Sequence, residues 1–205
     1  VLIVVAAGFV FRNHTGNSLV PGKTEAVTAA GKKDKKEAQD KLQKSDGVTI
    51  VQKWELPEKL REISGIAYLD EDRFACIQDE EGIIFIYNRK ENKIEKEIPF
   101  AGPGDYEGIA VNNSTAYVVR SDGRLYQVPM DGGKSSVKEI STPLTEKHNV
   151  EGLEYDKDNN RLLLAIKDDQ PGGKDYKGVY AYDLSVERFV AEAVYKIGVS
   201  HELLT

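Results

Sequence analysis

Apolar and polar residues alternate along most of this chain in runs of five or six, and Gly, Asn and Asp clusters separate the runs. A period of two over such short lengths predicts β-strands rather than helices. The runs at 65–69, 73–78, 83–88 and 93–98 read as four consecutive strands. The same plan returns at 108–111, 115–119, 124–129 and 136–140, and again at 152–155, 161–166, 178–183 and 189–197. Each set opens on a related motif: Ser64-Gly65-Ile66-Ala67-Tyr68, then Glu107-Gly108-Ile109-Ala110-Val111, then Glu151-Gly152-Leu153-Glu154-Tyr155. The glycines at 65, 108 and 152 are 43 and 44 residues apart. A fixed period in that range with four strands per repeat predicts an all-β fold, a β-propeller of four-stranded blades. A glycine at the head of each blade suits close approach to a crowded axis. A further strand is expected over 48–56, ended by Pro57.

The pattern also divides the chain. Residues 1–11 are apolar and uncharged, too few for the roughly 20 residues of a membrane-spanning helix. With no Met at the start, the run reads as the remnant of a signal peptide or of an N-terminal membrane anchor. Its β-branched composition also suits a buried first strand. Residues 12–47 are rich in Gly, Ser, Thr and Lys, with a charge run at 31–37, and read as a flexible polar linker. Residues 48–205 hold the propeller domain, about three and a half blades at this period. Propellers usually have four to eight blades, so the expectation is a fragment of a six-bladed one.

Composition narrows the function classes. The chain has 205 residues and a net charge of −6, which gives no basic footprint for nucleic acid. The expected partners are a small polar ligand or a protein, with the membrane reached only through the N-terminal segment and the domain itself monomeric. Cys76 is the single cysteine; this excludes an internal disulfide framework and suits a buried hydrophobe. Neither a glycine-rich phosphate loop nor a serine elbow is present.

The repeated motifs, with Leu163-Leu164-Ala165-Ile166-Lys167, resemble those of the SdiA-regulated domain family of bacteria. The resemblance covers about residues 48–205. It implies a six-bladed propeller tethered in the bacterial cell envelope, related to phytase-like esterases and senescence-marker-protein propellers. Some of these relatives hold Ca²⁺ in the central channel. The resemblance implies no particular activity.

In a propeller, residues just before the first strand of a blade meet residues just after its second strand, at one mouth of the channel. Here the first group is Ser64, Glu107 and Glu151, and the second includes Asp79, Arg120, Asp122, Lys167 and Asp168. Tyr106, Glu107, Glu151, Arg120 and Lys167 are the candidate ligand-binding residues. Glu107, Glu151, Asp122 and Asp168 are the candidate metal ligands, because Ca²⁺ takes six to eight oxygens. A second reading of the same residues is structural: Arg120 and Lys167 pair with Glu107 and Glu151 and fix blade register. Three functions follow as expectations. The first is an envelope-tethered binding module whose carboxylate-rich channel mouth takes Ca²⁺ or a small ligand. The second is a Ca²⁺-assisted hydrolase of the phytase-like or lactonase type. The third is a non-catalytic protein-interaction platform using loops such as 167–177.

Overall fold

The computed structural model describes residues 52–132, 136–168 and 175–199 of the chain. All described sheets lie in the second of the two units into which the chain divides, Trp54–Thr205; the first is Val1–Lys53. The fold is all-β. Strands β1 (Ile63–Tyr68), β2 (Arg73–Gln78), β3 (Ile83–Asn88) and β4 (Lys93–Pro99) form the first sheet. Strands β5 (Tyr106–Asn112), β6 (Thr115–Arg120), β7 (Leu125–Pro129) and β8 (Lys138–Ile140) form the second. Strands β9 (Val150–Asp156), β10 (Arg161–Ile166), β11 (Tyr176–Asp183) and β12 (Arg188–Gly198) form the third. Every sheet is an antiparallel meander in chain order, so the three are propeller-like blades.

Turn chemistry holds the meanders. Asn92, Asn113 and Asn160 take φ of 50°, 54° and 47° in three of the hairpins, a left-handed region that Asn tolerates better than most residues. Asp70 accepts hydrogen bonds from the backbone N–H groups of Asp72 and Arg73, closing the β1–β2 turn.

The core lies between the sheets. Ala75, Ile77, Ile84 and Ile86 of the first sheet pack with Ile109, Ala116 and Val118 of the second. Tyr117, Val119 and Leu125, on the other face of the second sheet, pack with Leu162, Leu164 and Tyr180 of the third. The second sheet is thus covered on both faces, which explains why 116–119 is a continuous apolar run. The glycines of the opening motif act at these junctions. A Cβ on Gly65 would lie 3.1 Å from the Ile109 nitrogen, and one on Gly108 would lie 2.8 Å from the nitrogen and Cβ of Leu153. The first strands of the first and second sheets therefore run against the first strand of the next sheet at backbone distance, where a side chain does not fit.

Two strand expectations change. Residues 52–56 are exposed and form no strand; no strand pairs with them among the described residues. The strand expected at 136–140 is only Lys138–Ile140, because pairing with β7 stops at Gln127 and Lys138. Cys76 is fully buried, as its apolar run predicts, and burial pushes its thiol up to about 12. The apolar segment 1–11, the linker 12–47 and the loop at 169–174 lie outside the described residues. No described helix is long and apolar enough to cross a membrane.

Candidate functional site

The site forms where the first strands begin. Pairing of β5 with β6 slips by one residue between Tyr106 and Gly108, so Glu107 is the extra residue of a β-bulge. The same slip falls between Ile63 and Gly65 in the first sheet, leaving Ser64 as the extra residue. It falls between Val150 and Gly152 in the third, leaving Glu151. Bulges re-aim a side chain away from the ladder, and here they release the residue before each motif glycine at the same end of each sheet.

Backbone hydrogen bonds stitch this end together. Tyr106 N–H donates to the Asp79 carbonyl at 3.0 Å and Gly104 N–H to the Glu80 carbonyl at 3.1 Å, joining the first sheet to the second. Ser121 N–H donates to the Asp105 carbonyl, and Val150 N–H to the Ser121 carbonyl, each at 2.9 Å. The residues before a first strand therefore meet those after a second strand, as propeller topology requires.

The three bulge residues differ in what they do. The Ser64 hydroxyl donates to the Tyr106 carbonyl at 2.6 Å, so this position is a junction between blades. Glu151 accepts a hydrogen bond from Lys167 at 2.9 Å, the structural pairing read from the sequence. Lys167 is 59% exposed along its side chain, so solvent screens the pair and it adds little to stability. Glu107 differs from both. It is half-buried, and no cation forms an ion pair with it among the described residues. Burial pushes its carboxyl up to about 7 from 4.5, with further contributions from Glu151, from Asp105, which shares a hydrogen bond with it, and from Asp79. One oxygen of Asp79, Oδ1, is buried without a hydrogen-bond partner.

Several sequence candidates sit elsewhere in this network. Arg120 does not pair with Glu107; its guanidinium is bound to Asp122, two residues along the same turn. That partner is local, whereas Glu107 has no cross-strand partner on β6. Asp122 also accepts from the backbone N–H of Arg124, so its charge is already engaged. Asp168 accepts from the Asn149 amide at 3.0 Å. Tyr106 is 1% exposed, and its hydroxyl donates to the Gly102 carbonyl at 2.7 Å. It packs edge-on to Phe100 and Tyr126, inside the junction of the first two sheets rather than at the surface of the mouth.

The four proposed metal ligands are therefore not assembled as a set. Among the described residues no group of three or more His, Cys, Asp or Glu is gathered in a way that holds a metal. The carboxylates acting on Glu107 are instead Glu151, Asp105 and Asp79. Asp105 was not among the sequence candidates; its only signal was its place one residue before Tyr106 at the head of the second motif. A polar depression lined by Asp122, Arg124, Thr142 and Thr145 is separate and does not include Glu107.

No family model matches the chain. No curated protein matches it either. Among solved structures, the computationally designed protein Ika4 is 11% identical, with a TM-score of 0.46 over 71% of this chain and 81% of its own. A chain of a nidogen/laminin complex is 19% identical, with a TM-score of 0.46 over 65% of this chain and 48% of that one. A streptogramin B lyase is 16% identical, with a TM-score of 0.42 over 60% of this chain and 41% of that one. These likenesses are distant. The blade assignment rests on the three four-stranded sheets and their repeated bulge and glycine.

Proposed function

We propose that this chain is a binding module, a propeller of the SdiA-regulated type tethered in the bacterial envelope, whose Glu107 face takes a cation or a small cationic ligand. The carrying observation is that Glu107 is half-buried, forms no ion pair among the described residues, with Lys167 bound to Glu151 and acting on Glu107 only at longer range, and is loaded by Glu151, Asp105 and Asp79. A carboxylate so placed gains from a positive charge, and a cation relieves both its repulsion and its desolvation. Ca²⁺ is the ion the family resemblance implies. The chain then supplies Glu107 and its neighbouring carboxylates, and Ca²⁺ would draw them together rather than enter a finished shell. The six-bladed closure and the envelope location belong to this reading; the first rests on the family resemblance, the second on that resemblance and on the composition of residues 1–47.

One observation favours a second reading, a hydrolase. A carboxyl with a pKa of about 7 is poised for general acid–base work at neutral pH. The interaction platform has no comparable observation behind it.

Calcium titration followed by thermal unfolding tests the first reading. A melting temperature that rises and saturates with Ca²⁺ supports a native-state site. A flat response across millimolar Ca²⁺ removes the ion from the account. A panel of phosphate esters and lactones separates the two functions: turnover lost in Glu107→Gln identifies the hydrolase, and no turnover leaves the binder.

A further inference from the structure

A depression of about 530 Å³ opens between the β6–β7 turn and the connection 141–149 that links β8 to β9. That volume suits a small molecule, and both walls are pinned. Gly123 takes φ of 83° in the β6–β7 turn, and a Cβ there would lie 2.4 Å from that of Leu144. The Thr142 hydroxyl donates to the Gly123 carbonyl at 2.8 Å and accepts from Leu144 N–H at 3.2 Å. Leu144 is buried in the core that joins the second and third sheets. Thr145 N–H then donates to His148 Nδ1 at 2.9 Å, and His148 N–H donates to the Thr145 carbonyl at 2.8 Å. Asp168 N–H donates to the His148 carbonyl at 3.0 Å, tying the connection to the end of β10. A ligand entering here meets walls already in place and is spared the cost of ordering them.

The charges of the lining fall into two kinds. Arg124 stands between the carboxylates of Asp122 and Glu139, at 3.9 and 3.2 Å, and Asp122 also holds Arg120. These groups largely neutralise one another, although a guanidinium has five N–H donors and Arg124 retains some of them. Glu146 and Lys147 are exposed neighbours on the opposite wall, and neither forms an ion pair or a side-chain hydrogen bond among the described residues. The Ser141 hydroxyl is likewise unengaged among them. Exposed Glu and Lys are ordinarily solvated; here they flank one fixed hollow with opposite charges. A net anion placed there faces Glu146, and a net cation faces Lys147. A ligand that carries both charges satisfies both.

We propose that this depression binds a small zwitterion, an α-amino acid or a short peptide. Its carboxylate lies at Lys147 and the spare donors of Arg124, its ammonium at Glu146, and Ser141 adds a hydroxyl hydrogen bond. The site is separate from Glu107 and depends neither on blade number nor on the cation reading.

The test is thermal unfolding and calorimetric titration of the full chain with the free amino acids, glycylglycine and alanylalanine, each beside its N-acetyl and C-amide forms. At least one free zwitterion is expected to raise the melting temperature saturably, with severalfold weaker binding when either end is blocked. Lys147→Gln and Glu146→Gln are exposed changes that leave the fold intact. Lys147→Gln should bring the zwitterion down to the level of its C-amide form, and Glu146→Gln to that of its N-acetyl form. Three results would overturn the proposal: no saturable response to any probe at millimolar concentration, blocked forms that bind as well as free ones, or binding unchanged in either variant. None of them bears on the Ca²⁺ response, which is read at Glu107.

Discussion

Glu107 is the residue on which the functional account turns, and its physics gives a signed prediction. Its folded-state pKa of about 7 lies above the ordinary 4.5, so the folded chain holds this proton more tightly than the unfolded chain does. The stabilising contribution of the protonated carboxyl is complete below pH 4.5 and is lost as pH rises to about 7. Above that, the ionised group costs about 1–2 kcal/mol once solvent screening is allowed for. Glu107→Gln should therefore stabilise the chain by that amount at pH 8 and leave it unchanged at pH 4, measured by urea unfolding. Equal stabilisation at both pH values would mean that Glu107 is not held out of its charged form. The sequence identified Glu107 as a candidate but paired it with Arg120. Opposite charges at matching positions do not reveal that Asp122, in the same turn as Arg120, is the nearer partner. Tyr106 was misplaced for a related reason. A residue beside a bulge faces the core or the mouth according to where the register slips, and the sequence carries no mark of the slip.

At the scale of the element, the first strand of each sheet combines a bulge with a glycine. The bulge releases Ser64, Glu107 or Glu151 from the ladder, and at Gly65 and Gly108 the glycine brings the next strand in. Gly108→Ala puts a methyl 2.8 Å from the Leu153 backbone and should cost about 1–3 kcal/mol. Gly102→Ala, with nothing within 4 Å of the added carbon, should stay within about 0.5 kcal/mol. Thermal unfolding of the two variants, side by side, checks the pair; equal effects would contradict the close approach of β5 and β9. The repeat was legible in the sequence because this steric demand falls on one residue type at a fixed spacing. In the strand expected at 48–56, the described part, 52–56, departs from expectation for the opposite reason. Alternation records a capacity to form a strand, and no neighbouring strand pairs with residues 52–56 among the described residues.

For the whole molecule, three sheets packed in chain order bring the bulged ends to one side, and acidic groups collect there. The net charge of −6 is too modest to direct function by itself; the local placement of Asp79, Asp105, Glu107 and Glu151 matters more. Glu151 has Lys167 as its partner, and that ammonium reaches Glu107 only at longer range; the proposed added cation belongs beside Glu107. The most direct measurement is a carbon-13 NMR titration of the Glu107 carboxyl with and without Ca²⁺. The account predicts a midpoint of about 7 in the free protein, moving down as Ca²⁺ is added, with no counterpart signal in Glu107→Gln. A midpoint at the ordinary 4.5, unmoved by Ca²⁺, would contradict it.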